Sequence, residues 1–361
     1  MSPSATEAPA AASNSQTALA IFKPLSALTE KVNERVLTEG TALEKMMKMQ
    51  EEGLKLNINF VIDKTGSMKD DVEKVRKGLV GWMIAFYKAL PQDVKDLYGG
   101  SIKIGGSITY FKDMDFDMDK EPFVSEVIQP KEVEELPFVA QLEAFQNDDN
   151  AGGSGGSESS GEALIVGMNF DPNGTNPRAN LINGLTKFVV DVSEKEKQKD
   201  AAEKFKSGCK ALLESGMPPQ IVILVTDELA KSTNSEWGGL DEEFSRDRKG
   251  RNVFFNEEIF IKAWESIPEK DRPTMMFFVP GKETDAKDLW AAVEMPYREA
   301  VLKYWKKFAS YFGEKGFVVD LNTMKPENMD NSEDLFGNLI ALNLTKVAAK
   351  VIEDQLAGLL E

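Results

Sequence analysis

The stretch from Leu56 to Met68, LNINFVIDKTGSM, most constrains how this 361-residue chain can fold. An apolar run, Ile58 to Ile62, ends in an aspartate, a glycine-containing turn follows, and a helical pattern begins at once. A buried strand that leads through a tight turn into a helix is the first unit of an open α/β sheet. Because ligands bind at the carboxyl ends of the strands in such sheets, this turn is a candidate site.

The turn itself has two interpretations. Its oxygen donors Asp63, Thr65 and Ser67 occupy alternate positions, and hard divalent cations such as Mg²⁺ prefer oxygen ligands. The same residues could only end the strand and cap the helix, with Asp70 completing a capping box for Ser67. More distant parts of the chain have to decide between a metal site and a helix cap.

The composition excludes several classes of function. An apolar share of 42% and a charged share of 29% are typical of a globular protein. The net charge of −17 disfavours nucleic acid and an anionic membrane as partners, because both are bound by basic surfaces. The chain contains no histidine, which excludes Ser-His-Asp and Cys-His catalysis and every zinc site that uses imidazole.

Cysteine usage and the hydropathy pattern predict a cytoplasmic protein. The single cysteine, Cys209, rules out a disulfide within the chain and fits a reducing compartment. No apolar run is long enough to span a bilayer, so we expect no membrane association. The first residues lack the basic start and apolar core of a signal peptide.

Composition and periodicity divide the chain into three parts. Residues 1–16 are rich in Ser, Ala and Pro and are predicted to be disordered. Residues 17–53 are predicted to form a helical extension of one or two amphipathic helices, broken near Pro24. Its proposed apolar stripe is Val32, Val36, Leu43 and Met46. Residues 54–361, including a C-terminal helix, are predicted to form one α/β domain.

The remaining elements follow from periodicity and turn residues. Strands are predicted at 102–111, 123–128, 221–225, 275–279 and 317–320. Helices are predicted at 72–90, 132–146, 178–214 and 255–266, as a pair split at Pro296, and at 332–360. The short connection between the second and third strands predicts an antiparallel pair.

Two motifs resemble ligand loops but lack a required residue. The alternating acids from Asp113 to Asp119 resemble the start of an EF-hand, yet Met118 replaces its glycine and Val124 its glutamate. Gly156 and Gly161 have the spacing of a nucleotide-binding loop, but Glu162 stands where the phosphate-binding lysine is needed. We therefore expect neither a calcium loop nor a nucleotide site.

A second strand repeats the pattern of the first. The apolar run Ile221–Val225 ends in Thr226 and Asp227, as the first run ends in Asp63. If the two strands are neighbours, both acids lie in one crevice. Two close carboxylates repel each other unless a cation or a proton lies between them. A metal ion accounts for this arrangement better than helix caps do.

These motifs together resemble a known family. FVIDKTGSM, ITYFKD, the Gly/Ser loop before EAL, and ILVTDE are similar, over roughly residues 54–320, to the von Willebrand factor A domain with its metal-ion-dependent adhesion site. The TGSM form is similar to intracellular members. The resemblance implies a doubly wound, mostly parallel, Rossmann-like sheet flanked by helices, with one antiparallel edge strand and the N-terminal helical extension.

The resemblance also implies a set of ligands. Asp63, Thr65 and Ser67 match the first motif, and Asp227 matches the strand-end acid, which often acts through water. The cation would be Mg²⁺, or Mn²⁺ or Ca²⁺.

The middle motif departs from the family pattern. Ser157 is the best match for its ligand, with Ser154 and Glu158 as alternatives. Glu228 also follows Asp227 where glycine is common.

The function implied is non-enzymatic. In the family, a partner's Asp or Glu completes the coordination of the metal, which predicts an adaptor or scaffold module in a multi-protein assembly. One alternative is a structural subunit with a vestigial metal site. Another is a haloacid-dehalogenase-like enzyme, since Asp63 to Gly66 matches the phosphorylated DKTG of P-type ATPases. That family also needs a transmembrane part and a later Gly-Asp-rich motif, and the sequence shows neither.

Overall fold

The computed structural model describes residues 10–65, 68, 75, 78–79, 81–83, 86–112, 123–132, 157–168, 205, 218–232, 234, 255–280, 289–321 and 339–360. Its strands are β1 Leu54–Asp63, β2 Ile102–Phe111, β3 Phe123–Glu132, β4 Ser157–Glu158, β5 Ile221–Val225, β6 Leu229–Ala230, β7 Thr274–Val279 and β8 Gly316–Asp320. Its helices are α1 Ala10–Val36, α2 Gly40–Glu52, α3 Gln92–Leu97, α4 Ser160–Gly167, α5 Glu257–Glu265, α6 Leu289–Ser310 and α7 Leu339–Leu359.

Six of these strands form one sheet in the order β3-β2-β1-β5-β7-β8. All neighbouring pairs are parallel except β2 and β3, which are antiparallel at the edge. The short strands β4 and β6 form a separate parallel pair. The predicted α/β class, with a mostly parallel sheet and one antiparallel edge strand, is confirmed.

The sheet separates two apolar cores because alternate side chains of a strand point to opposite faces. In β5, Ile221, Ile223 and Val225 belong to one core, whereas Val222 and Leu224 belong to the other. Helices α1, α3 and α7 cover the first face, and α4, α5 and α6 cover the second. Central strands buried on both faces explain why their sequences are continuously apolar.

The N-terminal helices differ from the prediction in three respects. Helix α1 begins at Ala10, inside the segment that the sequence predicts to be disordered, and its Ala-rich start has high helix propensity. The helix also continues through Pro24, because burial of Phe22 and Leu25 against the core offsets the lost hydrogen bond. Leu43, expected in the apolar stripe, is exposed.

Other predictions meet the structure only in part. Helix α6 runs without interruption past Pro296, so the predicted split there is wrong. In the predicted helix 72–90, the described residues Val75, Leu79, Met83 and Phe86 are buried. Segments 113–119, 132–146, 178–214 and 332–338 lie largely or wholly outside the described residues. None of the described helices has an apolar stretch long enough to cross a membrane.

Gly106 lies at an irregularity in the register between β2 and β3 and has a positive φ of 136°. A Cβ at this position would overlap the carbonyl oxygen of Ile58 in the neighbouring strand β1. Glycine is therefore required both by the backbone conformation and by the close approach of two strands.

We expect Gly106→Ala to lower the free energy of unfolding by about 2–4 kcal/mol, because the strands must move apart. Gly40→Ala is the matched control, since no atom lies within 4 Å of the Cβ position at this helix start. Urea denaturation of the two variants tests the prediction. Equal stabilities would contradict it.

Candidate metal site

The register of the sheet determines where the two acids lie. Strands β1 and β5 are parallel neighbours, and Ile62 pairs with Val225. The next residues, Asp63 and Thr226, therefore lie opposite each other at the carboxyl ends of the two strands, which we call the carboxyl edge of the sheet. Asp227 is one residue further along the same edge and is close enough to Asp63 to influence its charge state.

Both oxygens of the Asp63 carboxylate accept hydrogen bonds. Oδ1 accepts from the backbone N of Thr65 at 2.9 Å and from its Oγ1 at 2.7 Å. Oδ2 accepts from Oγ1 of Thr226 at 2.9 Å. The turn after β1 is therefore folded around this carboxylate, and two hydroxyl groups are held against it.

Thr226 is a member of the site that the sequence analysis did not name as a ligand. Its hydroxyl oxygen accepts a hydrogen bond from the backbone N of Glu228 at 3.2 Å, which orients the hydroxyl proton toward Asp63. Its position could have been inferred from sequence only with the exact register, because Thr226 faces Asp63 only when Ile62 is opposite Val225.

The electrostatics of the pair are unfavourable for two negative charges. Asp63 is 0% exposed, and Asp227 is 8% exposed. Burial, followed by the charge of Asp227, raises the pKa of Asp63 to about 7, although the hydrogen bonds from Thr65 and Thr226 act in the opposite direction. A bound proton or a cation would relieve this repulsion.

The middle segment is brought to the same edge by its backbone. Ser157 in β4 pairs with Leu229 in β6, two residues after Asp227. The side chains of Ser157 and of its alternative Glu158 lie outside the described part of the structure, as do Ser67 and Ser154 entirely. The structure therefore brings Asp63, Thr65 and Asp227 together and places the Ser157 backbone beside the loop that follows Asp227.

Hydrogen bonds from buried side chains hold the loop that follows Asp227. Trp305 Nε1 donates to the Glu228 carbonyl at 2.9 Å. Nearby, the buried carboxylate of Glu257 accepts hydrogen bonds from Ser232 Oγ and, at 2.9 Å, from Tyr304 OH. Sequence patterns gave no sign of this network, because its members come from three separate segments. These hydrogen bonds fix the position of the segment that follows Asp227.

The donor set fits a hard divalent cation. Two carboxylates lie side by side where they repel, and the hydroxyls of Thr65 and Thr226 surround one of them. The residues that the structure describes contain no group of three Asp, Glu, Cys or His residues that could hold a metal. A cation here would therefore depend on two acids, hydroxyl groups and water.

Comparisons with known proteins add little to this geometry. No family model matches the sequence, and no curated protein matches it. The pilus adhesin SpaC from Lactobacillus rhamnosus GG, in its open conformation, aligns over 83% of this chain and 30% of its own, with 10% identity and a TM-score of 0.37. Another form of SpaC aligns over 83% of this chain and 31% of its own, with 11% identity and a TM-score of 0.36. The chain spans less than a third of the adhesin, and likeness at this level supports no inference about function.

The raised pKa of Asp63 predicts a pH-dependent stability. Between its ordinary value of 3.8 and about 7, the folded protein keeps a proton that the unfolded chain has lost, so the free energy of unfolding falls as pH rises. Asp63→Asn cannot ionise. In the presence of a chelator, the free energy of unfolding of Asp63→Asn should therefore increase relative to that of the natural protein as the pH rises through this window. The difference should reach about 1–3 kcal/mol in favour of the variant at pH 8.

Urea denaturation at several pH values measures this difference. Asp271→Asn, at an exposed position on the opposite edge of the sheet, is the control and should follow the natural protein at every pH. A difference between Asp63→Asn and the natural protein that stays constant from pH 4 to pH 8 would show that Asp63 ionises normally.

Proposed function

We propose that this chain is a divalent-cation-dependent protein-binding module, which docks an acidic residue of a partner protein at the carboxyl edge of its sheet. The observation that carries the proposal is the juxtaposition of Asp63 and Asp227 at the carboxyl ends of neighbouring strands in a buried, hydroxyl-lined setting. In this proposal the protein acts in the cytoplasm as an adaptor or scaffold within a multi-protein assembly.

The residues of the proposed site are two carboxylate ligands and a set of hydroxyl ligands. Asp63 and Asp227 provide the negative charge, and Thr65 provides a hydroxyl oxygen. In the proposal, Ser67 and Ser157 complete the set. When bound, Mg²⁺ or Mn²⁺ would supply two positive charges, which two protein carboxylates neutralise. The ion takes about six oxygen ligands, so a coordination position remains that a partner's carboxylate could fill.

The same geometry is less suited to an aspartyl-phosphate enzyme. A nucleophilic Asp63 would have to present an oxygen atom to a phosphoryl group. In the structure, Asp63 is fully buried and both of its oxygens accept hydrogen bonds from Thr65 and Thr226. Either oxygen would have to exchange its hydrogen bonds before it could attack a phosphoryl group.

A structural subunit with a vestigial site is the remaining alternative. The burial of Asp63 beside Asp227 opposes it, because an unused pair of this kind destabilises the folded state. Replacement of either acid by a neutral residue would be favourable if no cation were ever bound. A direct test of cation binding separates the two functions.

We expect Mg²⁺ and Mn²⁺ to raise the melting temperature of the natural protein in a concentration-dependent manner. A ligand that binds only the folded state stabilises it by about 2.7 kcal/mol at one hundred times its dissociation constant. Asp63→Asn and Asp227→Asn should each lose this response, whereas Asp271→Asn should keep it. If the natural protein shows no response at millimolar cation, the site is vestigial.

Partner docking is tested on an array of peptides that each carry one Glu. Peptides that bind in Mg²⁺ should be released by chelator, and their Glu→Gln counterparts should not bind. Binding that persists in chelator, or that tolerates Glu→Gln, would contradict docking through an acidic residue while leaving cation binding itself intact.

A further inference from the structure

A large cavity lies at the amino ends of the parallel strands, at the opposite end of the sheet from Asp63. Its volume is about 970 Å³, and its walls come from the segments that precede β5, β7 and β8 and from one face of α7. Pockets for small molecules typically occupy about 300–1,000 Å³, so the cavity could hold a molecule of that class. Nothing in the proposed cation site uses it.

The walls of the cavity are in large part apolar. Helix α7 contributes two aliphatic side chains one turn apart, and the strand starts and loops contribute the rest. The main apolar residues are Pro219, Ile267, Pro268, Phe317, Val347 and Val351. A surface of this kind favours the body of an organic molecule over a free inorganic ion.

Basic side chains converge on the same cavity although the whole chain has a net charge of −17. Among the residues that the structure describes, five basic and three acidic residues line it. Among the basic residues, Arg272 and Lys350 lie close enough to Lys315 for their charges to oppose its own. Burial is the main cause that lowers the pKa of Lys315. The charges of Arg272 and Lys350 add to it, whereas the larger effects of Asp354 and Glu269 act in the opposite direction.

Two of these cations are held in position by the backbone. Lys315 Nζ donates to the carbonyls of Arg272, at 2.8 Å, and Glu269, at 3.2 Å. Arg272 donates from Nε to the Ile267 carbonyl at 2.9 Å and lies over the ring of Trp264 at 5.1 Å. The two positive charges are therefore fixed before any ligand arrives, which reduces the entropic cost of binding.

Lys350 is the adjustable member of the group. It lies on α7 and pairs with Glu353 at 3.1 Å and with Asp354 at 3.4 Å, and its side chain is 55% exposed. Exposed pairs of this kind contribute little to stability, so Lys350 can exchange them for another anion at small cost.

We propose that this cavity binds a small amphipathic organic anion. Its carboxylate or phosphate group lies against Lys315, Lys350 and Arg272, and its apolar body packs on Phe317 and Val351. The charge of the cavity selects an anion, and its apolar walls exclude small inorganic anions as the main ligand. The site is independent of Asp63 and Asp227, so its failure would leave the proposed cation site unaffected.

Isothermal titration calorimetry on the full chain tests the proposal with four probes. Decanoate and decyl phosphate distinguish a carboxylate from a phosphate head group, decanol lacks the charge, and inorganic phosphate lacks the apolar body. We expect at least one of the two amphipathic anions to bind at least tenfold more tightly than both decanol and inorganic phosphate. If neither does so, the proposal is overturned.

Variants locate the binding site. Lys350→Gln should weaken binding of the amphipathic anion several-fold, and Lys315→Gln more strongly. Val351→Trp fills the cavity and should abolish binding without removing a charge. Lys306→Gln, at an exposed position of α6 outside the cavity, is the matched control. Since Lys315 also supports the backbone, its variant is compared only if its melting temperature is unchanged. Unaltered affinity in Lys350→Gln and Val351→Trp would overturn the assignment.

Discussion

The repulsion between two carboxylates on neighbouring parallel strands is the interaction on which this account depends. Strand register places Asp63 beside Thr226 and next to Asp227, and the burial of Asp63 removes its carboxylate from water. The folded state therefore carries an electrostatic cost at neutral pH, which is visible in the raised pKa of Asp63. A bound proton or a divalent cation would offset this cost.

The rest of the structure holds this pair in place. Hydroxyl groups of Thr65 and Thr226 orient the Asp63 carboxylate, and Trp305 anchors the backbone after Asp227. The opposite edge of the sheet is built differently. There, fixed cations around an apolar cavity favour an organic anion, so the two edges have opposite electrostatic character. The sheet separates them, which allows each to be altered by mutation without disturbing the other.

Sequence patterns predicted the strands and the location of both acids well, because short continuous apolar runs that end in a carboxylate are typical of buried parallel strands. They failed where tertiary packing overrides a local signal. Helix α1 passes through Pro24 because Phe22 and Leu25 are buried on either side of it. Thr226, the Glu257 network and the cavity depend on exact register or on segments far apart in the chain, and no local pattern encodes either. The parts of the site carried by Ser67 and Ser157 remain predictions of the sequence alone.

The most direct test of the central claim is a crystal structure of the protein grown with Mn²⁺, measured for anomalous scattering at the manganese absorption edge. The account predicts one anomalous peak within coordination distance of Asp63 or Asp227, with both carboxylates directed at it, and the same peak should be missing from Asp63→Asn crystals grown under identical conditions. A well-ordered carboxyl edge with no peak, or with manganese bound only elsewhere, would contradict the claim that a divalent cation holds these two acids together.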